Sequence, residues 1–154
     1  MGGADDARIA RQQQTKAARA HEAVRASKAA VDAVELMRVH RYDAAQQKKG
    51  CATLSAFANV DAKRTAIAAA GGVGCVVAAM RAHADAVDVQ QGGCHALGNL
   101  ADNHAANQAA IAAAGGIGCV VAAMRAHADA AGVQQWGCHA LGILADNLYQ
   151  TAPG

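Results

Sequence analysis

AIAAAGGVGCVVAAMRAHADAVDV, residues 66–89, returns as AIAAAGGIGCVVAAMRAHADAAGV at residues 110–133, with three differences in 24 positions and an offset of 44. Two copies this similar make the chain a repeat protein. A period near 44 residues belongs to helical arrays, in which one unit cannot bury its own apolar face and stacked neighbours build the core together. The expected fold class is all-α, an α-solenoid of stacked helical units.

Each period holds three predicted helices. The segment from Asn107 to Ala114 is short, apolar at Ile111 and Ala114, and ends at Gly115-Gly116, the residue type that helix C-termini favour. Ile117, Val120, Val121 and Met124 then recur at i, i+3, i+4 and i+7, which puts them on one face of a second helix running to about His127. After the polar break at Asp129, residues Val133 to Leu148 form a longer third helix, with Cys138, Leu141, Leu144, Ala145 and Leu148 at buried spacing.

A degenerate copy lies upstream. Aligned on Cys51, Met37 and His40 take the places of Met80 and His83, and Gln47 that of Gln90. Residues 30–59 therefore supply a second and a third helix, and residues 4–28 an additional helix standing for a first helix or a cap. Cys51 to Gly71 is one residue shorter than Cys94 to Gly115, which places a deletion near Asp61. The expected organisation is an N-terminal basic helical extension or cap over 1–29, a degenerate partial repeat over 30–60, full repeats over 61–104 and 105–148, and a tail over 149–154.

Composition agrees with close helix packing. The chain is 53% hydrophobic yet has one Phe, two Tyr and one Trp, so its apolar content is mostly small, and Ala has the best helix propensity. No run approaches the roughly 18 apolar residues of a membrane span, and no secretory signal segment is evident, so a soluble cytoplasmic protein is expected. Residues 1–49 carry ten Lys or Arg against six Asp or Glu, whereas 50–154 carry four against six. The basic residues of the first segment form no continuous face and have no aromatic interleaving, so neither nucleic acid nor membrane is an expected partner.

The residues of each period resemble the armadillo repeat. Asn107-Gln108-Ala109-Ala110-Ile111, Ala114-Gly115-Gly116-Ile117, Val133-Gln134, Ala140-Leu141 and Leu144-Ala145 fall in that family's order and spacing, and Ile67, Ala70-Gly71-Gly72-Val73, Val89-Gln90, Ala96-Leu97 and Leu100-Ala101-Asp102-Asn103 repeat it. The resemblance covers residues 30–148. It implies a right-handed superhelix whose third helices line a concave groove for peptides or other proteins, and hence an adaptor or scaffold rather than an enzyme.

The resemblance also places the groove. Where nuclear-import adaptors of this family carry a Trp and, four residues later, an Asn, this chain has Ala52 and Ala56, His95 and Asn99, then His139 and Ile143. Only Asn99 keeps the family residue, which argues against that cargo class. Gln91, His95, Asn99, Gln135, Trp136, His139 and Ile143 are the candidate partner-binding residues, with Trp136 foremost because aromatic anchors are enriched at hot spots. The alternative reading is a structural subunit of a cytoskeletal or flagellar assembly, docking or self-associating through an open apolar face at Leu148 and Tyr149, beside Leu141 and Leu144.

Other chemistry finds no support. The cysteines recur in step with the period, Cys75 with Cys119 and Cys51 with Cys94 and Cys138, as small core residues would. His95 and His139 share a repeat position, as do His83 and His127, so each pair stands about 8 to 10 Å apart and no metal is expected. Gly71-Gly72-Val73-Gly74 and its copy lack the Gly-Lys-Ser/Thr ending of a phosphate loop. Gly2 is not followed by the Ser or Thr that favours myristoylation. No cofactor and no catalytic group is expected.

Overall fold

Glycine decides where the two short helices of this Ala-rich chain turn. The computed structural model describes residues 3–151, without the side chains of residues 3–6, 23, 26 and 147–151, and all its regular elements are α-helices. In chain order they are α1 (Gly3–Val39), α2 (Ala44–Phe57), α3 (Asp61–Ala69), α4 (Gly72–Ala82), α5 (Val87–Ala101), α6 (Ala105–Ala113), α7 (Gly116–Ala126) and α8 (Ala131–Thr151). Gly71 and Gly115 take φ of 85° and 78°, a left-handed conformation costly to any other residue, and there α3 turns into α4 by 68° and α6 into α7 by 69°. No single helix among the described residues is long and apolar enough to cross a membrane.

The expected short, medium, long pattern is present twice, as the middle unit α3–α5 and the last unit α6–α8. The first unit differs. Lys28-Ala29 stands where the middle unit has Gly71-Gly72, and residues 4–49 contain neither Gly nor Pro, so α1 runs 37 residues without a break across the boundary expected between 29 and 30. Its C-terminal part plays the second helix of the first unit, burying Ala30, Ala33, Val34 and Met37 in register with Val73, Val76, Val77 and Met80. Asp43 then caps α2 by accepting from the backbone N–H groups of Ala45 and Gln46.

One glutamine fastens each unit internally. Gln47 Nε2 donates to the carbonyls of Met37 and His40, Gln90 Nε2 to those of Met80 and His83, and Gln134 Nε2 to those of Met124 and His127. Each satisfies one orphan carbonyl in the last turn of a second helix, shares the closing histidine's carbonyl with a backbone N–H of the following loop, and binds the third helix to the second, at about 1 kcal/mol per bond. The glycine before each unit's cysteine allows the approach: a Cβ on Gly93 would stand 2.5 Å from Met80 Cγ, and Gly137 meets Met124 in the same way.

Between units the repeated bonds are of two kinds. Arg38 and Arg81 Nη2 donate to the carbonyls of Ala70 and Ala114, closing the C-terminus of the next unit's short helix at 2.6 and 3.0 Å. His83 and His127, which close α4 and α7, reach back with Nε2 to the carbonyls of Arg41 and Ala84. The helices α2, α5 and α8 pack side by side as one layer, and α1, α4 and α7 as another. The core threads between the layers through Leu54, Ile67, Val76, Leu97, Leu100, Ile111, Val120 and Val133.

Register rather than identity decides the fate of the cysteines. Cys51 and Cys94 are fully buried, and burial pushes both thiols up to about 12. Cys138, expected in the core, is exposed instead, because a third helix covers Cys51 and Cys94 from the following unit and none follows α8 among the described residues. Leu144, expected on an open face, is buried, while Leu141 is half-buried. Leu148 and Tyr149 lie outside the described side chains.

Candidate functional site

The layer of third helices carries the candidate residues, and α5 and α8 bring three of them into one cluster. The Trp136 ring lies on His95 with centroids 3.5 Å apart and planes 18° from parallel, and His139 meets the indole edge-on at 5.7 Å and 84°. Gly98 makes this possible. A Cβ there would come within 2.9 Å of His139 Cδ2 and 3.4 Å of Ala140 Cα, so glycine lets the two helices close up beneath the rings. Burial first, and the neighbouring His139 second, hold His95 below its ordinary value, which keeps neutral imidazole against the indole.

Asn99 is committed elsewhere. Its Nδ2 donates to the carbonyl and the hydroxyl oxygen of Ser55 at 3.2 and 3.0 Å, tying α5 to α2. The one position that matches the resembled ladder thus serves as an inter-helix brace, with its amide protons engaged. Gln91 is exposed and lies over Gly132, where a Cβ would collide with the Gln91 amide; one unit earlier the equivalent places hold a Lys48–Asp88 ion pair of 2.7 Å. Gln135 is exposed.

Ile143 belongs to a second feature. It lines a recess of about 320 Å³ with Asp102, Asn103, His104, Gln108 and Asp146, where the loop after α5 meets α8. The corresponding place in the middle unit is filled by the chain itself. Arg64 Nε donates to the Asn99 carbonyl at 2.9 Å and its Nη2 lies 3.3 Å from Asp102 Oδ2, with only 12% of the side chain exposed. The residue equivalent to Arg64 is Gln108, whose Nε2 turns back to the Ala101 carbonyl. Asp146, equivalent to Asp102, is left exposed and without a cation among the described residues.

Asp102, His104, Gln108 and Asp146 were absent from the residues expected at the site. The signal was present but diluted: Arg64 and Gln108 are one of four differences between the nine-residue helices α3 and α6. His104 is held by its neighbours, its Nδ1 accepting from the Asn107 backbone N–H and its Nε2 facing Thr65 Oγ1 at 3.1 Å. Among the described residues no cluster of three or more His, Cys, Asp or Glu side chains is arranged to hold a metal ion.

No protein-family model matches the chain, and no curated protein or solved structure matches it either. What the described residues define is an all-helical protein of eight helices, with two sequence-related three-helix units following one another.

Proposed function

We propose that this chain is a non-enzymatic adaptor or scaffold of armadillo type, whose third helices line a concave groove that captures an extended segment of a partner protein. The observation that carries this reading is the partly exposed His95–Trp136–His139 cluster beside the recess at Ile143 and Asp146. The aromatic surface offers a seat to an apolar or planar side chain, since such rings bury large area at low entropic cost. The recess suits a cation, as the way Arg64 fills its counterpart suggests. Polar side chains that could serve chemistry on this layer, Asn99, Gln90 and Gln134, are instead engaged in holding helices together.

A second reading has its own support. The surface of the middle unit that receives the last unit recurs on the last unit itself, with Met124, Cys138 and Leu141 in place of Met80, Cys94 and Leu97, and there it is open to varying degrees. A structural subunit would use that face for assembly, with Leu148 and Tyr149 near it in sequence.

Affinity capture from the native cell extract separates the two. With Trp136→Ala and His139→Ala together, the groove reading expects loss of a specific partner at unchanged helicity. Retention of a stoichiometric set of partners in that variant, and its loss on Leu141→Asp, would move the function to the open face.

A further inference from the structure

The clefts between successive second helices repeat, and the first is built differently from the next. Between α4 and α7 the cleft is about 170 Å³, lined by Met80, Arg81, Gln90, Cys119 and four alanines, Ala84 among them. Between α1 and α4 it is about 420 Å³, although the corresponding lining, Met37, Arg38, Gln47, Cys75, Ala78, Ala79 and Ala82, is nearly the same. Two residues at its rim are new. The middle unit continues His83-Ala84-Asp85 and the last His127-Ala128-Asp129, whereas the first has His40-Arg41-Tyr42, so a guanidinium and a phenol stand where the others carry a methyl and a carboxylate.

We propose that this first cleft binds a small amphipathic carboxylate, an acyl chain with its acid head at Arg41. Apart from Arg38 and Gln47, whose amide is engaged by the Met37 and His40 carbonyls, the cleft walls are apolar side chains and the thiol of Cys75, which burial pushes up, so they suit a hydrocarbon tail. A Cβ on Gly74 would meet nothing within 4 Å, which marks unfilled space in the wall. Arg38 is already committed to the Ala70 carbonyl and faces Glu35 at 3.5 Å. Arg41 has no ion pair among the described residues, its guanidinium resting 4.8 Å above the Tyr42 ring, and His83 holds its backbone in place through the Arg41 carbonyl. A planar guanidinium at the mouth of an apolar cleft recognises a carboxylate with two parallel hydrogen bonds. In the middle unit Ala84 stands in the place of Arg41 and Asp85 in that of Tyr42, so the same head would find no guanidinium at that place and a carboxylate beside it.

Cys75 reports occupancy directly. The intact chain is alkylated with N-ethylmaleimide at pH 7.5, with and without sodium decanoate below its micelle concentration, and each cysteine is read by mass spectrometry. Decanoate at about four times its dissociation constant should slow Cys75 about fivefold and leave Cys119 and Cys138 unchanged. Decanol, with the tail but no acid, should protect far less, and acetate not at all. Arg41→Ala, which restores the middle unit's residue at an exposed position, should abolish the protection at an unchanged ligand-free rate. A Cys75 rate unmoved by millimolar decanoate, equal protection by decanol, or protection that survives Arg41→Ala would each overturn the proposal.

Discussion

The middle and last units carry closely similar sequences and use them differently. Cys94 and Leu97 are completely buried, while their counterparts Cys138 and Leu141 are exposed and half-buried. Met80 and Gln90 are covered, and Met124 and Gln134 only partly so. Yet Val76 and Val120 are both fully buried, as are Ala96 and Ala140, because these residues pack against their own unit or the preceding one. The difference teaches that each unit has a half-core of its own and a half-core completed by the unit that follows.

The contrast can be broken most sharply in the core. Leu97→Ala should cost about 3 kcal/mol of unfolding free energy, and Leu141→Ala about 1, because the half-exposed leucine loses less buried area and leaves no enclosed cavity. Denaturant midpoints at constant slope would measure it, and equal losses would mean that Leu141 is covered in solution. Thiol chemistry sharpens the same contrast without altering the core. At pH 8 Cys138 should be alkylated at least about a hundredfold faster than Cys94, whose buried thiol ionises only near 12 and becomes reachable on local opening.

The smallest expected effect is on pH dependence. His95 titrates below its ordinary value of 6.5 in the folded chain, so the fold favours the neutral ring. The stabilisation this implies is complete above pH 6.5 and is lost as pH falls through the folded-state value. Unfolding free energy should therefore fall from pH 7.5 to pH 5, and His95→Gln should flatten part of that slope. A slope identical in the two proteins would remove His95 and its stacking on Trp136 as the cause.

Much of the helical pattern was legible. The Ala-Gly-Gly turns marked the bends because only a left-handed residue turns α3 into α4, and the recurring Gln marked a bond made entirely within one unit. The unbroken α1 was legible too, in the absence of Gly and Pro from residues 4–49, but alignment to a repeat suggested a boundary that the backbone does not need. The site was harder to read. Repeat position placed His95, Trp136 and His139 on the same layer, whereas their stacking depends on how closely Gly98 lets α8 approach α5. Arg64 could be read as an exposed helical cation, and only its reach to Asn99 and Asp102 reveals the recess left open at Gln108.

By itself the sequence determined the period, the helical class and the turns, because these rest on local propensities and spacings that hold wherever the segment lies. Only the tertiary structure decided which copy of each repeated residue is buried, which Asp keeps its cation and which cleft stays wide. Those outcomes depend on what the neighbouring unit brings against each surface, and identical residues with different neighbours bury different areas.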